Sequence, residues 1–364
     1  MAEMLVAQRH QLLVSELEAA GGLKVTELAT RLGVSRATVR RDLVDLENEG
    51  RVARVRGGAM LATPRAAEEP PPAGATAPAA HTLGLLVPSA TYYYPRVVAG
   101  VRAVAAERGA RVVIGLTDYA RADDARHVEE LGAAGATGLL VASAGGHHLP
   151  PEVFERLRDR GLPFVLLERE PQDPFEPCEF VNTDHRQGAF AAVRHFAGLG
   201  HRRVGLFTNG SPTAALVREG HGAAVRQLGL GTDAPVVDSG RPTLGSAEAT
   251  RYYDGFIEAC RAGGTRAALV HSDHDAIELM RRMRSHGLGT PEDLALIAYD
   301  DEIASLADVP LTAVAPPKNE LGEQAARLLL DRLDAPDPSA VPVRQLVMQP
   351  RLVIRSSCGA SRPA

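Results

Sequence analysis

Two groups of side chains stand out for the chemistry they could do. The first lies in "VSRATVRRDLVDLENEGRVARVRGGA", Val34 to Ala59. On a helix with Val39, Leu43 and Leu46 turned inward, Arg36 and Arg40 fall one turn apart on the opposite face, with Arg41 beside them. Ser35, Arg36, Ala37 and Thr38 form the start of that helix, the part that enters a major groove in helix-turn-helix geometry. Arg54 and Arg56 follow on a short strand pair. Arginine forks suit both phosphate oxygens and the guanine edge, so the pattern points to double-stranded DNA. The second group is "PSATYYYPRVVAG", Pro88 to Gly100, which sets Tyr92, Tyr93 and Tyr94 side by side in a chain with seven Tyr and no Trp. A tyrosine offers a flat apolar face and a hydroxyl, which together can stack on and hydrogen-bond a sugar or a base.

Catalytic and metal chemistry find no comparable pattern. No P-loop, no complete G-x-G-x-x-G and no G-x-S-x-G occurs. "HSDHD", His271 to Asp275, and "GHH", Gly146 to His148, collect histidines. His271 and His274 fall at a strand end without the i, i+4 spacing of a helical ligand pair, so no metal is expected. Neither an enzyme nor a cofactor is expected.

These side chains need elements to position them. The 364 residues suffice for two or three domains, and 45% apolar residues suffice for a core. The net charge of −5 is too mild to indicate a partner. The N-terminus lacks the apolar core and cleavage site of a secretory leader, and no apolar run is long enough to span a membrane. Cys178, Cys260 and Cys358 are far apart and odd in number, which favours reduced thiols in the cytoplasm.

Residues 60–82, "MLATPRAAEEPPPAGATAPAAHT", are rich in Pro and Ala and show no apolar period, so they read as a linker. Residues 1–59 before it read as a winged helix-turn-helix. Leu5, Leu12, Leu13 and Leu17 fall on one helical face, ended by Gly21 and Gly22. "KVTELATRLGVS" supplies a short helix with Leu28 and Leu32 apolar. Gly33 makes the turn, Ser35 caps the next helix, Gly50 stops it, and Val52 and Val55 enter a strand pair closed by Gly57 and Gly58. Residues 83–357 alternate short apolar runs such as "TLGLLVPS", "LPFVLLER", "RAALVHSD" and "LALIAYDD" with helical segments. That alternation predicts α/β structure with parallel sheets covered on both faces. The run is too long for one sheet, so two doubly wound lobes are expected, with a crevice at the carboxyl ends of their strands. Tyr92 to Tyr94 follow the first strand and therefore stand at its lip.

Residues 4 to about 60 closely resemble the winged helix of DeoR-type repressors, whose signature reads here "VSRATVRRDL", "LENEG" and "RVRGGA". Residues 82–357 resemble the effector domain of the lactose/galactose-repressor (LacI/GalR) family, a periplasmic-binding-protein-like fold. "LGLLVPS" with "AGVRAVAAERGARVVI", "TDHRQGAFAAVRHFAGLGHRRVGLF" and "GTPEDLALIAYDD" carry that likeness, as does "VPLTAVAPPKNELGEQAARLLLDRL". The second resemblance implies effector contacts from Glu168 after "PFVLL", from Arg218 in "ALVREGHG", from Ser272 and Asp273 after "ALVH", and from Asp300 after "LIAY". Lys318 stands where the chain crosses between lobes, at a position the family can use for ligand contact. His221 replaces the glycine of the family's R-x-x-G, and Ser272 its usual Asn. The linker lacks the family's hinge helix, so that coupling mechanism does not carry over.

The expected protein is a ligand-responsive transcriptional regulator, a repressor by preference, cytoplasmic and homodimeric. Operator DNA and a small effector, a sugar by preference, are its expected partners. The alternatives are an activator, or a response to a sugar acid, sugar phosphate or nucleoside. A non-regulatory solute-binding protein and a sugar-phosphate enzyme stand further off.

Overall fold

The computed structural model describes residues 12–13, 16–17, 23–32, 34–48, 52–55, 58–61, 79–117 and 124–360. The chain divides into two compact units, Met1–Ala75 with Ile303–Pro310, and Thr76–Glu302 with Leu311–Ala364.

In the first unit the helix Val25–Leu32 buries Val25, Leu28, Ala29 and Leu32, one stripe at i, i+3, i+4 and i+7. The next helix is Arg36–Asn48. Ser35 caps it by accepting a hydrogen bond from the Thr38 N–H at 3.1 Å. Val39, Leu43 and Leu46 are buried, as their spacing requires. The strands Val52–Val55 and Gly58–Leu61 pair antiparallel with Val55 opposite Gly58. A third strand, Leu23–Lys24, joins them with Leu23 opposite Ala59; two residues are too few for an alternating pattern to announce it. Leu13 and Leu17 complete this core, but Leu12, expected on the same face, is 45% exposed. It stands about 100° round the helix from its neighbour Leu13, so one stripe does not hold both. Leu5, Gly21, Gly22, Gly33, Gly50, Arg56 and Gly57 lie outside the described residues, as do residues 62–78 of the expected linker.

The second unit holds two six-stranded sheets. In spatial order the first runs Arg111–Leu116, Thr82–Val87, Gly138–Val141, Phe164–Leu167, Glu179–Thr183 and Gln345–Met348, all parallel. The second runs Val236–Asp238, Gly205–Thr208, Ala267–Val270, Ala295–Tyr299, Thr312–Ala315 and Arg351–Val353, parallel except for the last pair. Each lobe therefore places its first strand second in the sheet, which creates a switch point beside that strand. The near-continuous apolar runs follow from burial on both faces. Leu83, Leu85 and Val87 pack with Val97, Val101 and Leu329 on one side. Leu86 packs with Val128, Leu131 and Leu157 on the other.

Glycines let helices touch backbone to backbone in both lobes. A Cβ on Gly100, in helix Tyr94–Glu107, would stand 2.0 Å from the Asn319 carbonyl oxygen. One on Gly322, in helix Lys318–Leu333, would stand 2.1 Å from that of Val97. Gly220 likewise faces the Arg186 carbonyl at 2.1 Å. The chain passes between lobes three times, between Thr183 and His185, between Ala315 and Lys318, and between Met348 and Arg351. Among the described residues no helix is long and apolar enough to cross a membrane.

Candidate functional site

Residues at the carboxyl ends of strands in both lobes line a cleft of about 360 Å³. The first lobe contributes Tyr92, Tyr93, Tyr94, Glu168 and Arg169; the second contributes Asn209, Ser211, Arg241, Ser272, Asp275 and Asp300. His185, just past the first crossover, also lines it. Tyr92, Glu168, Arg241 and Asp300 have φ of 65°, 54°, 64° and 98°. Non-glycine residues seldom hold the left-handed region, and its recurrence at four cleft positions shows backbone strain concentrated where side chains are aimed.

The three tyrosines go three ways. Tyr94 opens the helix Tyr94–Glu107 and is buried in the core of the first lobe. Tyr93 donates its hydroxyl to Glu168, and the Lys318 ammonium lies 5.1 Å from its ring centroid. Tyr92 reaches across the cleft. Its hydroxyl accepts from the Asp273 N–H at 3.2 Å, and its ring meets that of His274 at 4.7 Å. Burial, with nearby carboxylates, raises the pKa of Tyr92 and Tyr93 well above the ordinary phenol value, so both keep their protons.

Glu168 organises the floor. It accepts from the Thr183 N–H at 3.0 Å and the Thr183 hydroxyl at 2.6 Å, and His185 Nε2 lies 3.2 Å away. Burial works against its charge, but His185 and the donors from Thr183 and Tyr93 outweigh it and hold the carboxyl down at about 2. His185 Nδ1 stands 3.0 Å from the Tyr299 hydroxyl, which ties the floor to the second lobe. Asp275 is also engaged, by Tyr253 at 2.7 Å, Asn209 at 2.9 Å and the Ser272 N–H at 3.0 Å. Asp300 differs. His271 Nε2 lies 3.9 Å away, beyond hydrogen-bond reach, and among the described residues no hydrogen bond to the Asp300 carboxylate is found. Burial lowers the pKa of both His271 and His274, which are therefore neutral at pH 7.

Three expected contacts fall outside the cleft lining. Arg218 sits one residue round the helix from buried Val217; it is half exposed and pairs with Asp238 at 3.3 Å. Asp273 is fully buried, because its carboxylate accepts from the Glu302 N–H at 2.7 Å and the Asp301 N–H at 3.3 Å. Lys318 is buried too, held by the Glu302 carboxylate and the Asp300 carbonyl. Arg169, His185, Asn209, Ser211, Arg241, His274 and Asp275 line the cleft without having been expected as effector contacts. Asn209 directly follows the strand Gly205–Thr208, so the strand-end rule reaches it. His185 and Arg241 depend on tertiary placement.

On the helix-turn-helix unit Ser35, Arg36 and Arg41 are exposed, and Thr38 is half-buried. Ala37 and Arg40 belong to the same helix, and Arg54 to the strand Val52–Val55. Arg56 lies outside the described residues.

Fold and site define a two-module protein, a helix-turn-helix unit joined to a two-lobed binding domain. Residues 9–65 match the model of the DeoR-like helix-turn-helix domain, and residues 193–358 that of the periplasmic binding protein-like domain. The chain is 25% identical over 344 residues to the arabinose metabolism transcriptional repressor of Geobacillus stearothermophilus, covering 91% of this chain and 89% of that one. It is 28% identical over 286 residues to the ribose operon repressor of Escherichia coli, covering 76% and 82%. A solved complex of the transcriptional regulator CelR with cellobiose superposes with a TM-score of 0.65 at 22% identity, covering 92% of this chain and 99% of that one. The chain is a ligand-responsive transcriptional regulator of this two-module kind.

Proposed function

We propose that the protein is a transcriptional repressor that binds operator DNA through the helix beginning at Arg36 and an uncharged sugar between its lobes. It acts as a cytoplasmic homodimer, without catalysis. Asp300 carries the reading: a buried carboxylate at a strand end, aimed into the cleft and open to donors. Carboxylates accept from paired sugar hydroxyls, and a buried acceptor left unpaired penalises a ligand that lacks them. An anionic ligand fits the floor poorly. Lys318 is engaged by Glu302, and Arg169 Nε donates to the Ser143 carbonyl at 2.8 Å. A phosphate would stand against three carboxylates, Glu168, Asp275 and Asp300, with Arg241 the one further arginine among the described lining residues. The relatives named for arabinose and ribose metabolism, and the cellobiose complex, lie in the same ligand class.

Thermal melting of the full chain with D-ribose, L-arabinose, cellobiose, ribose 5-phosphate, galacturonate and adenosine tests this. A ligand at 100 times its dissociation constant adds about 2.7 kcal/mol of stability. A neutral sugar raises the melting temperature, and Asp300→Asn removes that shift while leaving the unliganded melt nearly unchanged. A response to the phosphate or the acid alone overturns the uncharged-sugar reading. The bound sugar must also change retention of the duplex that the chain selects from a random DNA pool.

A further inference from the structure

Two residues of the first lobe grip the second, Tyr92 on the cleft lining and Arg96 outside it. Arg96 lies in the first turn of the helix Tyr94–Glu107, and its Nε stands 3.3 Å from Glu302 Oε2. Glu302 follows the strand Ala295–Tyr299 of the second lobe, and its carboxylate is 3% exposed. The other oxygen of that carboxylate is held by Lys318, at the second crossover. Tyr92, four residues before Arg96, meets the Asp273 N–H and the His274 ring. The two grips are linked inside the second lobe, where the Glu302 N–H donates to Asp273 at 2.7 Å. Arg96, Asp273 and Glu302 do not line the cleft.

We infer that Arg96 and Glu302 form a latch that favours lobe closure before any effector arrives, and that Arg96 is a positioning residue for effector binding. The inference rests on the reading of the cleft as the effector site. An effector that binds the closed form has an apparent dissociation constant equal to the intrinsic value divided by the closed fraction. Loosening the latch therefore weakens binding while every group that touches the effector stays in place. The Arg96 side chain is 59% exposed, so shortening it opens no cavity. Glu302 is the poorer target, because its loss leaves Lys318 buried without its partner carboxylate.

The test uses the full chain with spin labels at Glu152→Cys and Glu258→Cys, exposed positions on opposite lobes; the native cysteines are buried. Inter-lobe distances are measured by pulsed electron resonance without ligand, and again with whichever sugar of the panel raises the melting temperature. Arg96→Gln is expected to lengthen and broaden the ligand-free distribution. It also weakens sugar binding roughly three- to ten-fold, with the saturated distance unchanged, and Arg96→Lys restores both. An Arg96→Gln distribution that matches the parent overturns the latch. If the distances lengthen but no sugar binds the parent protein, the latch stands and the effector-site reading fails.

Discussion

Glu168 shows how one residue can hold the fold together while lining the cleft. Its partners come from the end of a first-lobe strand, from the first crossover and from the tyrosine triplet. Replacing a paired, buried carboxylate leaves the remaining groups unsatisfied. Glu168→Gln is expected to cost roughly 3 kcal/mol in urea denaturation. The pH dependence has a definite sign. The folded-state pKa lies below the ordinary 4.5, at about 2, so the stabilisation is complete above 4.5 and is lost as pH falls toward 2. Stability curves of Glu168→Gln should therefore lack the slope that the parent shows across that window. Equal slopes would mean that Glu168 is not held in this network. Asp300, with an open carboxylate, should behave in the opposite way, with a small stability effect and a complete loss of sugar response.

At the scale of elements, the first lobe depends on two helices that meet at Gly100 and Gly322. A methyl group at Gly100 has backbone on its far side, not a flexible side-chain end, so the helices must separate. Overpacking of this kind costs about 1–3 kcal/mol, and more where neither backbone can yield. Gly100→Ala is thus expected to lower the urea midpoint clearly, while Gly109→Ser, where no atom lies within 4 Å of an added Cβ, meets only the cost of its φ of 64°. Equal losses for both would show that helix packing is not the constraint. The glycine at position 100 is plain in the sequence, but its partner lies 222 residues further on, and periodicity does not pair them.

For the whole molecule, the division of labour predicts separable defects. Arg36 and Arg41 are exposed on the helix that Ser35 caps. Replacing both with Ala should reduce the slope of log affinity against log salt by about 0.9 for each phosphate no longer neutralised. The melting temperature and its shift with sugar should not change. A double variant that binds DNA with the parent's salt slope would move the DNA-binding surface elsewhere on the unit. Asp300→Asn should do the reverse, leaving DNA affinity without sugar intact and abolishing the response to sugar.

Strand positions, the two lobes and the helix-turn-helix were legible in the chain itself. Buried parallel strands require unbroken apolar runs, and a helix on a core requires a stripe at i, i+3 and i+4. The strand-end rule placed Tyr92, Glu168, Ser272 and Asp300 at the cleft, because in such sheets the strand ends form it. Which side chains face the opening was settled only in three dimensions. Arg218 turned to Asp238, Asp273 to the backbone of Asp301 and Glu302, and Lys318 to Glu302. Each found a partner distant in sequence or on another element, and local patterns do not encode such pairings. His185 and Arg241 entered the cleft for the same reason: an element's sequence specifies its own buried face, while the neighbours that meet its polar face are decided by how the elements pack.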